Sequence, residues 1–175
     1  MKRLLIAVLA MASIVVVAGM GLAQGNPRGK AEITFEGGKA VSVENGRPSL
    51  KGRSVGDLLD QLKPGDFWRL GADKSTTFST AVDLLFGDVT VPAGRHSLWA
   101  EREADNSWKL VFNKQHGQWG TQHDASQDLA PVPLTQAKAA ESAEMVTITL
   151  TKSSGGGVID IQWGDMKLTA SFKVK

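Results

Sequence analysis

MVTITLTKSSGGGVIDIQWGDMKLTASFKVK, residues 145–175, is where apolar and polar side chains alternate most cleanly. Val146, Ile148 and Leu150 fall on one side of this run, and Thr147, Thr149 and Thr151 on the other. The same period recurs in Ile159, Ile161 and Trp163 against Asp160 and Gln162. It recurs again in Leu168, Ala170, Phe172 and Val174 against Lys167, Thr169, Ser171 and Lys173. A period of two places successive side chains on opposite faces of a strand. With Ser153 to Gly157 and Gly164-Asp165 as turns, these segments are expected to form an antiparallel meander with one buried face.

The same signals extend towards the N-terminus. Trp108, Leu110 and Phe112 alternate with Lys109 and Val111, after a turn at Asp105-Asn106. Pro92-Ala93-Gly94 leads into a strand over Arg95 to Glu101, and Leu84 to Phe86 and Val89 to Val91 flank Gly87-Asp88. Ala31 to Glu36 and Ala40 to Glu44 flank Gly37-Gly38, a two-residue hairpin turn. Between the strands, Lys114 to Gln127 is polar and reads as a long loop, and the Ala/Lys/Gln tail of Asp128 to Ala140 is expected to form a brief helix. Eight or nine short strands at this spacing predict a mainly β fold: an antiparallel β-sandwich or jelly-roll-like barrel with one or two short helices.

The chain has 175 residues, enough for one domain with a core. Met1, Lys2 and Arg3 precede an apolar run from Leu4, and Gly21 and Ala23 stand at −3 and −1 of a cut before Gln24. This is the pattern of a secretory signal peptide over residues 1–23. A retained anchor is the other reading, since Leu4 to Ala23 approaches the ~20 residues that span a bilayer. Residues 24–30 then read as a flexible lead-in and 31–175 as a single β-sandwich domain, exported to the periplasm or beyond. Cysteine is absent, which excludes disulfides, thiolate chemistry and a lipid-modified N-terminal Cys. Removing Lys2 and Arg3 from the 20 basic residues leaves 18, against 18 acidic ones. A neutral domain has no global attraction for nucleic acid or anionic lipid, so neither partner is expected.

One stretch departs from the strand pattern. GRPSLKGRSVGDLLDQLKPGDFWRLGADKSTTF, residues 46–78, packs Arg47, Lys51, Arg53, Arg69 and Lys74 among Asp57, Asp60, Asp66 and Asp73. Ser54 and Asp57 have the spacing of a capping box, Leu58, Leu59 and Leu62 give one helical face, and Lys63-Pro64-Gly65 ends it. Gly71 to Lys74 reads as a turn before Thr76, Thr77 and Phe78.

These residues, with Pro92-Ala93-Gly94, Ser97-Leu98, Trp108, Asn113-Lys114, Trp119-Gly120, Asp128 and Trp163, resemble the DUF2911 family of bacterial exported proteins. The resemblance runs from about Val41 to Val174 and implies an exported, mostly β domain. It implies no activity, substrate or catalytic residue. Members often carry Tyr where this chain has Gly46 and His96, and this chain has no tyrosine.

Arg47, Arg53 and Arg69 form a candidate anion site, because a guanidinium presents a planar fork to carboxylate or phosphate. The structural alternative is that they pair with the neighbouring aspartates and pin the loop. Five tryptophans invite sugar stacking, but alternation places Trp108 and Trp163 in the core, which leaves Trp68, Trp99 and Trp119. His116, His123, Asp124 and Asp128 suit a metal chemically, yet their spacing matches no compact ligand motif, and no metal or cofactor is expected. Ser97, His96 and Asp128 are the residue types of a hydrolytic triad without its positional motif.

The expected site is therefore Arg47, Arg53, Trp68, Arg69, Thr76 and Thr77, in a non-enzymatic module that binds a sugar or an acidic small molecule. A hydrolase using the same cleft, with Asp66 or Asp73 as base, and an envelope structural protein are the alternatives. Shifted titratable groups in a cleft favour the enzyme. An aromatic floor without them favours binding, and a filled centre with every arginine paired favours the structural role.

Overall fold

The computed structural model describes residues 25–175; the expected signal peptide and Gln24 lie outside the described residues. Ten strands follow in chain order: β1 (Arg28–Phe35), β2 (Lys39–Gly46), β3 (Phe67–Trp68), β4 (Thr76–Thr80), β5 (Leu84–Phe86), β6 (Val89–Val91), β7 (Gly94–Arg102), β8 (Trp108–Asn113), β9 (Val132–Ser153) and β10 (Gly156–Val174). The single α-helix among the described residues, α1 (Val55–Leu59), lies between β2 and β3. All strands join one antiparallel sheet in the order β1-β2-β4-β7-β8-β9-β10-β5-β6, with β3 added against β7.

The mostly β architecture is as expected, but the sheet is open and not a closed barrel. The segment after β2 meets β9 at the Ser49–Met145 bridge, with the Leu50 amide on Glu144 O and the Val146 amide on Pro48 O, and does not continue as a ladder. Pro48 sits beside it and has no amide hydrogen to extend a ladder. Instead the sheet turns over itself. β9 leaves β8 after Leu134 and pairs with β10 from Thr135 onward. The two arms then face each other across an aromatic core, where Phe86 of β5 lies 4.9 Å from Phe112 of β8 and 5.1 Å from Phe172 of β10. Phe78 of β4 closes the cluster at 5.2 Å from Phe112.

Four expectations need correction. β1 begins at Arg28, so part of the lead-in is a strand. The Ala/Lys/Gln tail is not helical but part of β9, where Thr135 to Lys138 pair with Thr169 to Met166. Partner hydrogen bonds there override a local preference worth only a few tenths of a kcal/mol per residue. α1 stops at Leu59, so Leu62 packs on the core from the loop beyond. Gly164-Asp165 is not a turn either. β10 runs through it, and the ladder to β9 slips on both sides of Gly164, which has φ 57°. The slip changes which residues face inward: Ile159, Ile161 and Trp163 are buried before it, and Met166, Leu168, Ala170 and Phe172 after it. That one-residue change of phase is the mark of a β-bulge.

α1 rests on this bulge. A Cβ on Gly164 would stand 3.3 Å from Val55, so the bare backbone lets the helix sit close. Ser54 accepts from the Asp57 amide at 3.0 Å and the Asp57 carboxylate accepts from the Ser54 amide at 3.2 Å, the capping box the spacing implied. β3 takes up the place along β7 that β4 leaves: Thr76 pairs with Leu98, and Trp68 with Ala100. Among the described residues the sheet has no further strand beyond β3 on that side, and a cleft opens between β3 and α1.

Candidate functional site: an aromatic cleft beside β3

The cleft has a volume of about 560 Å³. Its walls are Phe67, Trp68, Trp99 and Trp163 with Leu58, Leu59 and Leu62, and its polar groups are Arg69, Thr121 and His123. Two segments position these residues. β3 and the residues after it carry Phe67 to Gly71, and the long loop of residues 114–127 carries Gly120 to His123. The loop is clamped to the chain before β4: the Ser75 amide donates to Gln118 O at 2.9 Å, and the Gly120 amide to Asp73 O at 2.8 Å. It also covers the outer face of β7. The Gln118 amide donates to Ser97 Oγ at 3.0 Å, and His123 lies 4.7 Å from the Trp99 ring.

His123 is tightly framed. Phe67 lies 4.1 Å from its ring, and its Nε2 is 2.9 and 3.0 Å from the two oxygens of Asp128. Asp128 in turn accepts from the Asn113 side-chain amide at 2.7 Å, and Asn113 is fully buried on β8. A relay therefore runs from the core through Asn113 and Asp128 to a histidine on the cleft wall. Asp128 accepts only, so Nε2 carries the proton and Nδ1 is the ring's uncommitted nitrogen.

Of the residues expected to form the site, only Trp68 and Arg69 line this cleft. Arg47 donates to Val146 O at 3.1 Å and to Thr147 Oγ1 at 2.9 Å, which ties the loop to β9. Arg53 is exposed and donates to Leu50 O at 2.9 Å. Among the described residues neither pairs with an aspartate, so the expected charge pins are bonds to backbone carbonyls and a hydroxyl instead. Asp57 and Asp66 cap local turns, Asp73 accepts from Asn26, and Asp60 pairs with Arg102 at 3.1 Å. Thr76 and Thr77 are buried. The Thr76 hydroxyl faces the carbonyls of Arg69 and Leu70 at 3.2 and 3.1 Å, so it positions the site from below. Leu70 needs that support, because it is a buried non-glycine residue at φ 53°.

The tryptophans divide differently from the expectation. Trp68 and Trp99 are buried walls, and only Trp119 is widely exposed, at 51%, outside the cleft. Trp68 stacks on Trp163 at 5.7 Å and meets Trp108 edge-on at 6.1 Å. The Ser97, His96 and Asp128 triad does not assemble. His96 bonds Pro92 O, Ser97 accepts from Trp99 and Gln118, and Asp128 serves His123. Among the described residues no three metal-ligating side chains converge. Asp124 caps its own turn, its carboxyl held below the usual range by the Ser126 hydroxyl and amide.

A larger groove of about 890 Å³ runs between α1 and β9, lined by Asp60, Arg102, Asn106 and Lys138. The Arg102 guanidinium is already engaged there, donating to Leu59 O at 2.8 Å and to Asn106 at 2.8 Å, with Trp108 beneath it at 5.6 Å. In the aromatic cleft, by contrast, Arg69 makes no ion pair among the described residues. The cleft and not the groove offers an uncompensated cation.

No curated protein and no solved structure matches this chain. The family model described as a protein of unknown function (DUF2911) matches residues 26–172, nearly all of the described chain. The protein belongs to the DUF2911 family.

Proposed function

We propose that the protein is an exported, non-enzymatic binding module whose cleft beside β3 takes a small acidic molecule with a flat apolar body. The observation that carries this reading is Arg69, a cation that makes no ion pair among the described residues and stands in a cleft walled mostly by aromatic and aliphatic side chains. Apolar walls with a few convergent polar groups are the usual composition of a small-molecule site. A guanidinium there fixes a carboxylate by two parallel hydrogen bonds.

Two observations favour an acid over a sugar. A pyranose needs an open indole face, and Trp68 already has Trp163 stacked on it and Trp108 at its edge. The exposed indole, Trp119, does not line the cleft. Binding is favoured over hydrolysis by Asp66 or Asp73 because neither carboxylate reaches the cleft; each holds a backbone amide. The carboxyls held below their usual range, Asp57, Asp105, Asp124 and Glu144, likewise serve turns and loop contacts outside it. Export rests on the N-terminal pattern, and fractionation with sequencing of the mature N-terminus tests it.

Calorimetric titration with phenylacetate and with glucose tests the ligand class. Saturable binding of phenylacetate alone is the expected result. Binding of glucose alone, or of neither, rejects an acid site.

A further inference from the structure

Resting on the reading of the cleft as an acid site, the geometry points to a narrower ligand class: an aromatic acid that also carries a hydroxyl, with that hydroxyl donated to His123 Nδ1. The relay decides which ring nitrogen carries the proton. Asn113 Nδ2 donates to Asp128, which is thereby held as an acceptor facing His123 at 2.9 and 3.0 Å. An ionised carboxylate has no hydrogen to give, so the imidazole hydrogen must lie on Nε2. In the neutral form of the ring, Nδ1 is then a lone pair and nothing else.

The ring cannot turn to offer its other nitrogen. Phe67 and Trp99 hold it at centroid distances of 4.1 and 4.7 Å, and turning it would break both contacts to Asp128. The two polar side chains named here therefore make opposite demands on one ligand. Arg69 only donates and asks for an anion; His123 only accepts and asks for a hydrogen-bond donor. The other large side chains that line the cleft are aromatic or aliphatic. A phenolic carboxylate meets all three requirements, whereas the same acid with its hydroxyl methylated leaves His123 facing an ether oxygen.

The matched pair 4-hydroxyphenylacetate and 4-methoxyphenylacetate tests this at pH 8 by calorimetry on the whole protein. The hydroxyl compound is expected to bind about tenfold more tightly, the effect of one hydrogen bond against one unpaired acceptor. His123→Phe keeps the aromatic packing and should bring the two compounds to equal affinity. Melting of the variant controls for folding.

Equal affinity of the wild type for the pair, or a hydroxyl preference that survives in His123→Phe, overturns the inference and leaves acid binding standing. Binding of neither acid by folded protein overturns both.

Discussion

A side chain on Gly46 would have to occupy the space of the Ala72 carbonyl, since a Cβ there lies 2.2 Å from that oxygen. The end of β2 and the loop after Arg69 are thus in backbone contact, next to Gly71, which lines the cleft. Gly46→Ala is expected to push Ala72 away and to cost about 1–3 kcal/mol, the usual range for overpacking. In a domain of this size that lowers the melting midpoint by roughly 2–12 °C. A variant melting within 1 °C of the wild type would mean that the crossing relaxes freely.

Thr76 braces the same loop. Thr76→Val removes the one hydroxyl facing the buried carbonyls of Arg69 and Leu70. Losing that partner should cost about 1–3 kcal/mol. Leu70, held at φ 53°, is also released, so acid affinity should fall with stability. Thr76→Ser keeps the donor and should restore both. A valine variant with unchanged melting and binding would remove Thr76 from the account.

Stability should fall on acidification for a reason visible in the loops. The Glu144 carboxyl is held below its usual range first by the Ser49 hydroxyl and then by the Lys51 amide. Asp57, Asp105 and Asp124 are lowered in the same way by Ser54, Ser107 and Ser126. A lowered folded value means that the contribution is present above the unfolded value, near 4, and is lost as pH falls through the folded one. Urea midpoints measured from pH 6 down to pH 3 should therefore decline. Glu144→Gln should reduce the slope of that decline, and a slope unchanged by it would exclude Glu144 as a contributor.

Arg102 is the arginine that holds the fold. It donates to Leu59 O, Asp60 and Asn106 and lies over Trp108, with its side chain only 13% exposed. The Asp60 partner is exposed and adds little, so the cost lies in the buried carbonyl and the ring. Arg102→Leu is expected to destabilise by about 1.5–3 kcal/mol, the range for hydrogen bonds to a charged group. Thermal melting checks this, and a stable variant would contradict it.

What could be read in the sequence follows from range. The Gly87-Asp88 hairpin, the capping box and the alternation in β10 are local, and they appear where composition places them, whereas β7 and β8 are buried on both faces and the first hairpin turns through Glu36 to Gly38. The bulge at Gly164 was also legible: apolar residues occupy odd positions through Trp163 and even ones from Met166, a phase change that a turn does not require. The strand over residues 135–140 was not legible, because Ala, Lys and Gln become extended there only through pairing with β10. The site was half legible. Trp68 and Arg69 lie in the cleft, but Arg53 bonds the nearby Leu50 carbonyl and Arg47 the distant Val146 carbonyl on β9, partners that charge counting overlooks. His123 and Asp128 stood out only as metal-type residues in a polar loop. Their pairing needs the loop folded onto β7 and β8, and nothing local signals that.

The most direct test of the account is Arg69→Leu, read by melting and by phenylacetate titration on the same preparation. With no ion pair to break among the described residues, the midpoint should stay level or rise, and acid binding should fall at least tenfold, the loss expected for a charged hydrogen bond. The opposite outcome is equally clear. A drop of about 6–20 °C, as when a buried pair loses one partner, with affinity intact in the folded variant, would make Arg69 a structural pin and contradict the proposed site.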